Sequence, residues 1–141
     1  MDNSYEPVRP RRVLVVDDSP DAADALAMLV RGWGHDVRVE YGGEQGLRAA
    51  LDFRPDVCLL DLAMPRMSGF DLAGRLRQDP RTAGAVLVAV SGWGDSETQR
   101  RARDAGFDAF LLKPSDLDAL RGVLAASARS GTAPVPSASG D

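Results

Sequence analysis

The chain has 141 residues, 44% of them apolar and 27% charged, a composition that fits one globular domain with its own core and excludes a disordered or fibrous protein. Its net charge of −4 argues against non-specific nucleic-acid binding, so Arg9, Arg11 and Arg12 and the cluster Arg100, Arg101 and Arg103 are expected to be solvated faces. The lone Cys58 excludes an internal disulfide and fits a reducing cytoplasm; no apolar run reaches the length of a membrane span or of a signal-peptide core.

Residues 1–10 are polar, include Pro7 and Pro10, and read as a flexible leader to a domain over 11–128. The first strand, Arg12–Val16, is a β-branched run that ends at Asp17-Asp18. Ser19-Pro20 then supplies an N-cap and a proline at the first helical position. Along this helix Ala23, Leu26, Val30 and Trp33 share the core face, and Gly32–Gly34 ends it. Asp21, Asp24 and Arg31 define the opposite face, yet Met28 falls among them with Ala25 beside it. Such a methionine is either part of an adaptable docking surface or a stray surface residue. His35, the only histidine, lies in a Gly34-His35-Asp36 turn and is expected to be structural.

The second strand, Asp36–Glu40, alternates apolar and polar residues and suits a sheet edge. The third, Val57–Leu60, is wholly apolar, holds Cys58 as a small buried hydrophobe, and ends at Asp61. Ser68 with Asp71 reads as a capping box, and the helix it opens stops near Gln78-Asp79-Pro80. The fourth strand, Val86–Val90, ends at Ser91, and Ser96 with Gln99 reads as the next capping box. The fifth, Ala109–Leu112, leads to Lys113-Pro114, followed by a third box at Ser115 and Asp118. Residues 129–141 are mainly Ser, Gly, Ala and Pro and read as a disordered tail.

Five β-α units joined by right-handed crossovers make an α/β fold, a flavodoxin-like (βα)5 doubly wound parallel sheet. In such sheets the working crevice lies beyond the carboxyl ends of the strands. Asp17, Asp18, Asp61, Ser91 and Lys113 all sit at those ends, and strand order 2-1-3-4-5 makes their strands neighbours. Three carboxylates, a hydroxyl and an ammonium are parts for phosphoryl chemistry around a divalent cation. Sixteen of the seventeen basic residues are Arg; the one Lys, Lys113, stands at a strand end, where a compact point charge differs from a planar fork.

The acidic pair after strand one, the Asp-Leu-x-Met-Pro-x-Met-Ser-Gly stretch of Asp61–Gly69, Ser91-Gly92 and Lys113-Pro114 together resemble the receiver domain of two-component response regulators. The resemblance runs from about Arg12 to Ala128. It implies that Asp61 is the phospho-acceptor, taking a phosphoryl group from a sensor histidine kinase or a histidine phosphotransfer protein, with Mg2+ as cofactor. By the same resemblance Asp18 and Asp61 are direct metal ligands, Asp17 acts mainly through water, and the Ala63 carbonyl is a further ligand. Lys113 and Ser91 would each meet a phosphoryl oxygen, and Phe110 would rotate as Ser91 moves, a steric switch with no hydroxyl to display. Ala25, Met28 and Pro114 are the candidate docking residues.

The resemblance implies a signalling protein, not an enzyme beyond its own phosphoryl transfer and dephosphorylation, that acts on an unknown downstream protein; charge, apolar run length and the lone cysteine add the expectation of a cytoplasmic protein that binds neither nucleic acid nor membrane. A stand-alone receiver is the favoured form; the Ser-Gly-Trp-Gly turn and Gly106–Ala109 also resemble receivers attached to hybrid sensor kinases. Trp93, two residues after Ser91, either screens the acyl phosphate from water or packs on its own helix. Two rivals fail on residues. A flavin carrier of this fold needs a phosphate loop where Asp17-Asp18 stands, and an aspartate-nucleophile phosphatase needs an acid where Ser19 stands.

Overall fold

A computed structural model describes residues 10–113 and 117–126. The elements run β1 (Arg12–Val16), α1 (Pro20–Gly32), β2 (Asp36–Glu40), α2 (Gly43–Phe53), β3 (Val57–Asp61), α3 (Gly69–Gln78), β4 (Val86–Ser91), α4 (Ser96–Ala105), β5 (Ala109–Leu112) and α5 (Leu117–Ala126). All four strand pairings are parallel and the order is β2-β1-β3-β4-β5, as the convergence of the polar strand ends requires. The leader up to residue 9, the tail over 129–141, Pro114 and the Ser115 cap fall outside the described residues.

Period-two alternation divides the core into two layers. Leu14, Val16, Cys58, Leu60, Leu87 and Ala89 face α2, α3 and α4, where they meet Ala49, Leu72, Leu76 and Ala102. Val13, Val15, Val57, Leu59 and Val88 face α1 and α5, against Ala23, Ala27, Val30, Leu120 and Leu124. Because β1 and β3 are covered on both faces, their continuous apolar runs are buried, each large side chain contributing about 2 kcal/mol. Cys58 is fully buried, which pushes its thiol up to about 12 and leaves it inert at neutral pH.

Local signals set most boundaries. Ser19 caps α1, and Ser68 with Asp71 forms the reciprocal box on α3. At α4 the cap differs from the sequence expectation. Asp95 occupies the N-cap, accepting from the Thr98 amide at 3.3 Å and the Thr98 hydroxyl at 2.6 Å, while Ser96 is the first helical residue. A carboxylate with two donors and a helix dipole to complement outcompetes the serine beside it. On α1 the buried stripe is Ala23, Ala27 and Val30; Leu26 and Trp33 flank it half-buried. His35 is structural as expected, its Nδ1 accepting the Arg11 N–H at 3.0 Å.

One structural centre is invisible in the sequence. The Arg77 guanidinium donates to the Ala83 carbonyl at 2.8 Å, the Ala85 carbonyl at 2.6 Å, the Gly106 carbonyl at 2.6 and 3.0 Å, and Asp108 Oδ2 at 2.8 Å. It ties α3 to the entry of β4 and the turn into β5. Gly106 carries φ +111° there, a conformation that favours glycine. Arg77→Met is expected to lower unfolding free energy by about 3 kcal/mol, since charge-assisted bonds are lost and partly buried carbonyls go unpaired. Arg77→Lys, lacking the planar fork, is expected to restore less than half of it. Denaturant midpoints of the three proteins check this.

Candidate functional site

The site lies at the carboxyl edge of the three central strands and the adjoining edge strand β5. Asp17 follows β1 directly, its N–H bonded to the Glu40 carbonyl of β2 at 3.2 Å, so the sheet ladder itself orients it. Asp61 is the last residue of β3 and pairs in register with Val90. Ser91 ends β4, and its carbonyl accepts the Lys113 N–H at 2.9 Å, which brings Lys113 beside the acids. The turn between β3 and α3 is held close by Gly69. A Cβ there would fall onto the Asp61 carbonyl and lie 2.8 Å from Leu62 Cα, so only glycine lets α3 start against the strand end.

Asp17, Asp18 and Asp61 each bring a carboxylate oxygen within 4.8 Å of the other two. Asp17 and Asp61 are buried and Asp18 is exposed. Asp17 is already engaged on both oxygens, accepting from the Ser19 N–H at 3.0 Å and lying 2.9 Å from Lys113 Nζ. Asp61 Oδ1 is 3.5 Å from Lys113 Nζ and 3.4 Å from the Ala63 N–H. Burial, followed by the Asp17 charge, pushes the Asp61 carboxyl up to about 6 against the pull of Lys113. Burial opposes the charge on Lys113, but its bonds to Asp17 and Asp61 outweigh that and raise its pKa.

This donor set fits a hard divalent cation: three carboxylates converge, two are buried, and one ammonium is too little to neutralise them. Magnesium, which takes few carboxylates and several waters, is one cation of this class.

The remaining sequence candidates distribute around this pocket. The Ser91 hydroxyl accepts the Trp93 N–H at 3.0 Å. Phe110 pairs with Ala89 and is half-buried against the core layer under α2, α3 and α4; strand alternation puts it on the Ser91 face. Trp93 is 72% exposed, so its ring is not packed on α4 and stands in solvent two residues after Ser91; Leu112 and Leu117 are exposed as well. Met28 is 71% exposed and Ala25 is also exposed, as the helical wheel required. Sequence reasoning missed Leu112, a hydrophobe at a strand end, and the hydrogen bond from the Tyr41 hydroxyl to Asp24 at 2.6 Å.

Comparison with known proteins agrees with this fold. A sequence model of the response regulator receiver domain matches residues 13–125. The transcriptional regulatory protein KdpE of Mycobacterium tuberculosis is 38% identical over 121 residues, covering 86% of this chain and 52% of that protein. The chain spans about half the length of the curated relatives it matches. Chemotaxis protein CheY4 of Vibrio cholerae superimposes with a TM-score of 0.79 over 85% of this chain and all of that one; at 23% identity it shows the fold alone. Response regulator TrrA of Thermotoga maritima, solved in complex with Mg(2+)-BeF, has a TM-score of 0.70 at 25% identity, covering 79% of this chain and 94% of that one.

Proposed function

The chain belongs to the response regulator receiver domain family of two-component signalling, and from that premise we propose that it is a phosphorylation-dependent switch with Asp61 as the acceptor. The observation that carries this is the convergence of Asp17, Asp18 and Asp61 within 4.8 Å beside Lys113, the only lysine of the chain. A carboxylate oxygen of Asp61 attacks the phosphorus of a phosphohistidine; the P–N bond breaks, the imidazole leaves with its electron pair, and an aspartyl phosphate forms. Asp18 and Asp61 would hold Mg2+ directly, Asp17 mainly through water, and the Ala63 carbonyl would add a ligand; bound there, the cation would supply charge neutralisation for the acids and the incoming phosphoryl group. Lys113 turns from Asp61 to one phosphoryl oxygen. Ser91 gives up the Trp93 N–H and donates its hydroxyl to another, and Phe110 shifts into the room that leaves.

The receiver unit is taken as 11–128, signalling through partner contact or phosphoryl relay. Its phosphodonor, a sensor histidine kinase or histidine phosphotransfer protein, docks on α1 at Ala25 and Met28; Pro114, the third docking candidate, lies outside the described residues. Support comes from the 71% exposure of Met28 and from an adjoining cavity of about 540 Å³ lined in part by Met28, Val37, Val39 and Tyr41. Among the described residues no helix is long and apolar enough to cross a membrane.

The test is transfer from a phosphohistidine-bearing phosphotransfer domain in the presence of Mg2+. Wild type should strip the phosphoryl group from the donor, and Met28→Asp should slow this about tenfold or more, as loss of an interface anchor does. Acetyl phosphate needs no docking and should label both proteins equally fast. Equal slowing with both donors would remove Met28 from the docking surface, and no transfer to wild type from any histidine donor would remove the function.

A further inference from the structure

A cavity of about 400 Å³ opens at the start of α3, and Arg66, Met67, Phe70, Asp71 and Arg75 are among the residues lining it. From α4, Arg101 lays its guanidinium over the Phe70 ring, 4.2 Å from the centroid. Arg38, Arg77, Arg81 and Arg100 each pair with a carboxylate. Among the described residues Arg66, Arg75 and Arg101 have none within ion-pair distance. The one acid in the lining, Asp71, has an oxygen on the Ser68 N–H at 3.2 Å as part of the α3 cap. In a chain of net charge −4 this groove therefore holds a local excess of positive charge over an apolar floor. Arg66 is, moreover, held at φ +68°, where a glycine would cost about 1 kcal/mol less.

We propose that this groove along α3 docks an acidic segment of a partner protein. Its carboxylates pair with the forks of Arg66 and Arg75, and an apolar side chain sets against Met67 and Phe70, with Arg101 keeping the ring in place. A short acidic peptide meets only the local field, because charges beyond about 8 Å are screened at physiological salt. A nucleic acid extends past the groove and meets the net negative charge of the chain, which disfavours it. α1 packs on the other layer of the core, so this surface is distinct from the Met28 face and does not rest on the assignment of Asp61.

The experiment is fluorescence anisotropy, from physiological salt upwards, with a fluorescein-labelled peptide of glutamates carrying two leucines a helical turn apart, alongside a labelled DNA duplex. Chemical-shift mapping with the unlabelled peptide locates the contact. Wild type should bind the peptide saturably and more weakly as salt rises, with shifts confined to residues 66–78 and Arg101. Arg66→Glu with Arg75→Glu should weaken binding about tenfold or more, and Arg66→Gln with Arg75→Gln should weaken it by a smaller factor. Arg48→Glu, an exposed arginine of α2, should leave it unchanged. Undiminished binding by both double variants, shifts centred elsewhere, or tighter binding of the duplex than of the peptide would overturn the proposal.

Discussion

Asp61→Asn is expected to lose phosphorylation altogether and, without metal, to be more stable than wild type. The first effect follows because an amide oxygen is too weak a nucleophile to form the acyl phosphate. The second follows from the site's electrostatics. Burial and the Asp17 charge push the Asp61 carboxyl up to about 6 from an ordinary 3.8. A native pKa above the unfolded one means that the folded state binds the proton more readily. The ionised group therefore weakens the fold progressively as pH rises from about 4 through about 6, and the cost is constant above that. Two units correspond to roughly 3 kcal/mol at most, so a near-isosteric neutral side chain should recover about 2 kcal/mol at pH 7.5 and little at pH 4. Saturating Mg2+ binds wild type and should narrow the gap by mass action. Thermal unfolding in chelator and in Mg2+ at both pH values checks this; a less stable Asp61→Asn in chelator at pH 7.5 would mean that the acids are not in mutual repulsion.

Lys113→Arg is expected to accept a phosphoryl group yet fail to switch. The Lys113 ammonium sits 2.9 Å from Asp17 and 3.5 Å from Asp61 in a half-buried slot. A guanidinium keeps the charge but spreads it over a wider plane that has to lie against both acids, so it cannot deliver one compact cation to a phosphoryl oxygen. In wild type, phosphorylation should shift the backbone amides of Ser91, Gly92, Trp93 and Phe110 together, as the Ser91–Trp93 bond of 3.0 Å is given up. In Lys113→Arg those shifts should shrink to a small fraction of the wild-type change at equal phosphorylation. Full-size shifts in the arginine variant would show that net charge, not its shape, is what the site uses.

The strand ends were legible because each apolar run stops at a polar residue, and a parallel sheet collects all such stops on one edge. The order β2-β1-β3-β4-β5 followed from the need to bring Asp17, Asp61, Ser91 and Lys113 together, and the alternation of Val37 and Val39 marked the edge. Other features depend on contacts that the pattern of apolar runs does not encode. Asp95 and Ser96 are adjacent and both are cap residues by type; the two donors that Thr98 brings to the Asp95 carboxylate decide between them. Arg77 is one of sixteen arginines, and its partners Gly106 and Asp108 lie far along the chain. The core stripe of α1 uses Ala27 where the wheel gave Leu26, because small residues let the helix approach the sheet. The exposure of Trp93 could not be read either, since an aromatic ring near a site is as often packed as free.

The measurement that bears most directly on the central claim is intact-protein and peptide mass spectrometry after incubation with acetyl phosphate. With Mg2+ present, wild type should gain a single phosphoryl group, mapped to Asp61 and removed by alkaline hydroxylamine, while the chelator-treated protein and Asp61→Asn stay unmodified. A phosphoryl group on any other residue, one stable to hydroxylamine, or undiminished labelling in chelator would contradict the assignment of this acidic pocket as a metal-dependent phospho-acceptor site.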